Sequence, residues 1–194
     1  MSSTNRSKAR EAHVSDYYVT PLATIREFLA AFAQDWPVQG PLTILDPCAG
    51  GDKEHPMAYP NAILNYSGWE IATLTTIDCR EDSLAQIHSD YLQENIGSRF
   101  DMAITNPPFN IAMDVIQKAL KDVREGGLVI MLLRLNFFGS KERQGFFQKN
   151  MPVLTYVHTR RPKFLNTGGT DSIEYMHAVW QVGNPCRSTQ LRII

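Results

Sequence analysis

"RFDMAITNPPFNIAMDVIQKALKDVREGGLVIMLLRL", residues 99 to 135, contains in one run the pieces that decide the fold. Residues 99–105 are an apolar run of strand character that leads straight into two prolines. Proline donates no backbone hydrogen bond, fixes its own φ and pushes the residue before it toward extended geometry, so Asn106 is held in one rigid pose. Residues 110–125 place Ile111, Val115, Ile116, Ala119, Leu120 and Val123 on one stripe, which predicts a helix ending at Gly126-Gly127. Residues 128–135 are apolar almost throughout, the mark of a parallel strand covered on both faces. Strand, helix and buried strand in that order make a βαβ unit.

The same alternation extends outward. "LTILD" (42–46) reads as a buried strand stopped by Asp46-Pro47 and a glycine pair. "ATLTTIDC" (72–79) is β-branched and alternating, a second strand ending at Asp78. "EDSLAQIHSDYL" (81–92) carries Leu84, Ile87, His88 and Tyr91 at helical spacing behind acids suited to a helix start. "LTYVHTRR" (154–161) and "YMHAVWQV" (175–182) read as a closing antiparallel pair. These units predict a doubly wound α/β sheet, mostly parallel, in one domain over 15–183. The ends, 1–14 and 184–194, read as a loose basic arm and a tail. No internal repeat or low-complexity tract interrupts the pattern.

The bulk composition narrows the class. The chain has 194 residues, 43% hydrophobic and 20% charged, ordinary for a globular protein of one domain. No apolar stretch reaches the roughly 18–20 residues of a membrane span, and the N-terminus lacks the apolar core of a secretory signal. Cys48, Cys79 and Cys186 are scattered without a CxxC pair, which argues against a disulfide framework or a metal site and for a reducing, cytoplasmic setting. Net charge is −1, but it is unevenly spread. Arg134, Lys141, Arg143, Lys149, Arg160, Arg161 and Lys163 share their segment with the single acid Glu142, whereas 78–94 is dominated by acids. Such a split could present one basic face to nucleic-acid phosphates, or be a solvated surface.

In a doubly wound sheet, ligands sit outside the carboxyl ends of the strands. The residues expected there are "DPCAGGD" (46–52), Asp78, "SDYL" (89–92) and "NPPF" (106–109). Together with "DYYVTP" (16–21) they resemble the S-adenosylmethionine (SAM)-dependent amino-methyltransferases, and in particular the DNA adenine-N6 branch found in phages, prophages and bacteria. The resemblance covers about residues 15 to 182. "ILDPCAGGD" is similar to the family's Asp-Pro-x-Ala-Gly loop, Asp78 to its acid after the second strand, and NPPF to its catalytic motif. The stretch from "LLRLNFFGSKER" to "GGTDSIEYMHAVW" looks like small phage-type members. Asp52 and Lys53 stand where the family usually has a further glycine, and the loop "DKEHPMAYP" is longer and more polar than usual.

The resemblance implies a seven-stranded sheet of the class I methyltransferase type, SAM as cofactor and double-stranded DNA as partner, with no membrane or metal; with no residues left over for a separate target-reading domain, a homodimer is expected to complete the footprint. It implies that Asn106 and the carbonyl of Pro107 accept from a flipped adenine's amine. Pro108 would stiffen the bend, and Phe109 would stack on the base. Asp78 would hold the ribose hydroxyls with Cys79 beside it, and Asp90 the cofactor's adenine amine with Tyr91 alongside. Asp46, Pro47, Cys48, Ala49, Gly50 and Gly51 would approach the methionine moiety, and Tyr18, Thr20 and Pro21 would close over it. Lys141, Arg143 and Lys149 would grip phosphates, with Arg134, Arg160, Arg161 and Lys163 near a groove. Asn-Pro-Pro-aromatic motifs also occur in guanine-N2 enzymes of ribosomal RNA and glutamine-N5 enzymes of release factors. Cytosine-N4 enzymes, which more often begin the motif with Ser, and a SAM- or DNA-binding module without turnover complete the alternatives. A nicotinamide dehydrogenase is disfavoured because GxGxxG is absent after the first strand.

Overall fold

In the computed structural model, residues 17–38, 40–97, 99–165 and 172–194 are described. The arm expected over 1–14 and residues 166–171 lie outside them. The chain opens with α1 (Leu22–Asp35), which buries Ile25, Phe28, Leu29 and Phe32 at i, i+3, i+4, i+7 spacing. Then follow β1 (Pro41–Asp46), α2 (Ala58–Leu64) and β2 (Glu70–Asp78). Next come β3 (Ile87–His88), β4 (Phe100–Thr105), α3 (Ala112–Asp122) and β5 (Val123–Arg134). A short α4 (Gln144–Phe147), β6 (Leu154–Val157), β7 (Tyr175–Gln181) and β8 (Gln190–Ile193) complete it. Among the described residues, no helix is long and apolar enough to cross a membrane.

The sheet order is β3-β2-β1-β4-β5-β7-β6-β8. Pairings from β3 through β5 are parallel, and β7 runs antiparallel to both β5 and β6. The expected α/β sheet with its antiparallel C-terminal pair is therefore present. Strand order reverses between β1 and β4, so their carboxyl ends diverge and leave a crevice. Period-2 alternation divides the core between the two faces. Ile44, Met102, Ile104, Leu128 and Ile130 pack beneath α1 and α2. Leu45, Ala103, Val129, Met131 and Leu133 pack beneath Val115, Ile116 and Ala119 of α3.

Three expectations are corrected. The helix expected over 81–92 does not form. Gln86 N donates to Thr76 Oγ1 at 2.9 Å while Thr76 N donates to Gln86 Oε1 at 3.3 Å, which holds the chain extended as Ile87–His88 joins the edge of β2. Asp90 then caps a 3-10 turn, Tyr91–Gln93, by accepting from Leu92 N at 2.9 Å. Local side-chain bonds of this kind outcompete helix formation. The helix expected to reach Gly126-Gly127 stops at Asp122, because β-branched Val123 turns extended and pairs with Phe100. The C-terminal stretch is not loose throughout, since β8 lies parallel to β6 and makes eight strands among the described residues instead of seven. Its side chains are exposed on this edge, so no apolar alternation marks it as a strand.

Candidate active site

Asn106 follows directly after β4, at the crevice between β1 and β4. Its Nδ2 donates to Thr20 Oγ1 at 3.1 Å and to Tyr18 O at 3.3 Å. Those two bonds fix the amide's orientation, and Oδ1 is left buried without a partner among the described residues. A buried unpaired acceptor costs about 1–3 kcal/mol, a cost that persists where a ligand is to satisfy it. Pro108 O accepts from Ile111 N at 3.2 Å, locking the bend onto the start of α3. Asn106, Pro107 and Pro108 all line one cleft. Phe109 lies beside that cleft, its ring 5.9 Å from that of Tyr18 and nearly parallel to it. The Arg134 guanidinium lies over the Phe109 ring at 4.5 Å. Phe164 and Tyr175 extend the aromatic wall.

The loop after β1 forms the cleft floor. Gly50 and Gly51 have φ of 65° and 80°, and a Cβ on Gly50 would sit 2.6 Å from the Tyr17 ring. Only glycine fits both the backbone and the close approach. Gly50 N donates to Asp78 Oδ2 at 2.8 Å, so the end of β2 is tied to the glycine loop. Asp46 is wholly buried under this loop and is not on the cleft wall. Its Oδ1 accepts from Cys48 N at 3.2 Å, and Oδ2 has no partner among the described residues. Burial, with a smaller repulsion from Asp78, pushes its carboxyl up to about 7.

The cleft gathers Tyr18, Thr20, Pro47, Cys48, Ala49, Gly50, Gly51, Asp78, Cys79, Asp90 and Tyr91. Pro21 instead starts α1, its carbonyl accepting from Thr24 N at 3.0 Å. Tyr91 turns its hydroxyl away to Asp122 Oδ2 at 2.7 Å. Tyr59, also on the cleft wall, bonds His177 Nε2 at 2.8 Å, and His177 bonds His158 at 2.8 Å. Burial holds both histidines below their ordinary values, so this is a satisfied neutral core network. Sequence reading missed Tyr17 and Arg80. Arg80 lies two residues past Asp78 and carried a signal, a lone cation in an acidic stretch. Among the described residues no His, Cys, Asp and Glu cluster is arranged to hold a metal ion.

The basic residues do not share one face. Because β5 and β6 are both antiparallel to β7, the segment after β6 emerges on the same sheet edge as Asn106. Arg160, Arg161 and Lys163 line a groove there with Pro21 and Glu27, and Arg161 pairs with Glu174 at 2.7 Å. Lys141 lines a separate cleft with Gln144, Gln148 and Arg187. Arg143 packs over the Phe137 ring at 4.0 Å, and Lys149 is exposed beyond α4.

No family model matches the sequence, and no curated protein matches it. Solved structures do. A putative class I SAM-dependent methyltransferase from Listeria monocytogenes superposes with TM-score 0.67 at 12% identity over 92% of this chain. The chain has the class I SAM-dependent methyltransferase fold. The same methyltransferase fold relates it to a modification subunit of a putative type I restriction enzyme from Vibrio vulnificus (TM-score 0.60, 15% identity, 97% of this chain). A putative RNA methyltransferase from Pyrococcus horikoshii also shares it (0.61, 14%, 85%). The chain spans 66% of the Listeria protein, 49% of the Vibrio one and 87% of the Pyrococcus one.

Proposed function

We propose that this protein binds S-adenosylmethionine and transfers its methyl group to the N6 amine of adenine in DNA. The observation that carries the reading is Asn106, its amide nitrogen anchored and its carbonyl oxygen left unpaired in an NPPF bend. The cleft fits the cofactor on its own chemistry. Asp78 is an ionisable acceptor at the end of β2, the place where this class of sheet holds ribose hydroxyls. Gly50 and Gly51 allow a backbone approach that any Cβ would block. Asp90 and Cys79 stand on the wall beside Asp78. When bound, SAM supplies a methyl group made electrophilic by its sulfonium.

The chain's part is to ready the nucleophile. Adenine's exocyclic lone pair is delocalised into the ring, so the amine attacks poorly. Asn106 Oδ1 and the Pro107 carbonyl, accepting its two hydrogens, would pull the nitrogen toward tetrahedral geometry. The two prolines make that bend rigid, so the acceptors need no reorganisation during reaction. A base leaving the duplex costs a few kcal/mol, and stacking on an aromatic ring returns roughly 1–3 kcal/mol. Phe109 would offer that ring once Arg134, which also donates to the Tyr175 hydroxyl at 3.4 Å, moves off its face. Arg160 and Lys163, on the same edge, would track the backbone.

Incubation with methyl-labelled SAM and separate pools of duplex DNA, RNA and protein tests the reading. Label recovered as N6-methyl-2′-deoxyadenosine from the DNA pool alone is the expected result. Label in RNA or protein would replace the substrate, and no label in any pool would remove the activity. A pH dependence accompanies it. A bound sulfonium and ammonium favour ionised Asp46, whose carboxyl is held up to about 7 without them. SAM affinity therefore strengthens as pH rises through about 7 and weakens below it, by at most about tenfold per unit. Asp46→Asn should flatten the profile from pH 6 to 8; an equally steep profile in that variant assigns the titration elsewhere.

A further inference from the structure

We infer that Tyr17 and Arg80 form a clasp across the cofactor cleft that controls how fast the cofactor exchanges; the inference rests on the cofactor reading above. The two residues come from distant parts of the chain and meet over the glycine loop. The Arg80 guanidinium lies 3.7 Å above the centre of the Tyr17 ring. Its Nη2 donates to Gly51 O at 2.7 Å, and the Tyr17 hydroxyl accepts from Gly51 N at 3.0 Å. The two peptide groups flanking the Gly51 Cα are thus held, one by each residue. Arg80 also faces Asp78 Oδ1 at 3.3 Å and the exposed Asp82 at 3.2 Å. Its side chain is only 10% exposed despite lying near the protein surface.

Arg80 and Tyr17 occupy the wall next to the residues that would receive the ribose and methionine ends. A ligand on its way to Asp78 and Gly51 must part the guanidinium from the ring or from the Gly51 carbonyl, and both contacts re-form once it is seated. A plain structural role for Arg80 would be to neutralise Asp78 and Asp82, for which the stacking on Tyr17 and the bond to Gly51 O are superfluous. Those two contacts join the segment before α1 to the loop after β1, which is the geometry of a fastening across an opening. An arginine on an aromatic face is a bond of moderate strength, suited to repeated opening. The clasp therefore slows entry and exit together, and leaves equilibrium affinity nearly unchanged.

The test uses the full chain and S-adenosylhomocysteine, with association and dissociation rates read by surface plasmon resonance. Arg80→Gln keeps length and a donor but loses the charge; Tyr17→Leu removes the ring. Each should raise both rates about tenfold while Kd shifts less than about threefold. Tyr17→Phe keeps the ring beneath the guanidinium and should change the rates less. Thermal unfolding confirms that each variant is folded, and having one on each side of the clasp guards against loss of either. Unchanged rates in folded Arg80→Gln and Tyr17→Leu overturn the clasp. A faster dissociation alone also overturns it, because Arg80 is then an ordinary ligand of the bound molecule. Failure of the wild-type chain to bind S-adenosylhomocysteine would instead strike the cofactor reading itself, and the clasp with it.

Discussion

Replacing Asn106 by alanine is expected to reduce methyl transfer by at least about a thousandfold while SAM affinity stays within about tenfold. The size follows from what is removed. A preorganised hydrogen-bonding group aimed at the reacting atom contributes about 10²–10³ in rate when lost singly. Here the alanine also removes two of the bonds that hold the segment carrying Tyr18 and Thr20, because both bonds from Asn106 Nδ2 go to it. Misplacement of that segment adds to the loss through the orientation of both reactants. Cofactor affinity is spared because Asp78 and the glycine loop are tied together independently of Asn106. Single-turnover transfer from labelled SAM and calorimetric SAM binding measure the two quantities. Transfer within tenfold of wild type would take Asn106 out of the chemistry; collapse of binding in a folded variant would make it a cofactor residue.

Asp78→Ala is expected to do the reverse, weakening SAM binding about a hundredfold. Two hydroxyl bonds to a carboxylate contribute roughly 1.5–3 kcal/mol each, and part of that is recovered by water. The substitution also strips the acceptor from Gly50 N and leaves Arg80 with Asp82, the Gly51 carbonyl and the Tyr17 ring. The glycine loop then loses one of its fixings, so the entropic cost of binding increases. Asp78→Asn keeps an acceptor for Gly50 N and should lose less than the alanine variant. Calorimetry on both variants separates the two contributions. Unaltered affinity in Asp78→Ala would remove this residue from the ribose position.

Much of this site could be read from the order of residue types along the chain. A strand that ends at a fixed polar residue needs only local rules, and three such endings lie at Asp46, Asp78 and Asn106. The parallel sheet follows from runs such as 128–135, which leave no polar face to expose. Less accessible was anything decided by a competition between elements. The stripe over 81–92 is equally compatible with a helix, and only the meeting of Gln86 with Thr76 settled it. The strand at 190–193 shows no apolar pattern because its stability comes from pairing with β6. The basic residues of 134–163 are contiguous in sequence but divide in space, since β6 carries the chain back across the sheet between Lys149 and Arg160.

By itself, the sequence determined the α/β class, the rigid donor-free bend at 106–108 and the positions of the strand-end residues. These depend on proline geometry, glycine freedom and hydrophobic period, all of which act over a few residues. Only the tertiary structure decided that Asn106 has its amide turned by Thr20, that Asp46 lies beneath the cleft floor and not on its wall, and that Arg80 meets Tyr17. Each of those facts joins segments dozens of residues apart. Burial and hydrogen-bond partnership belong to the packed chain, so no local rule contains them.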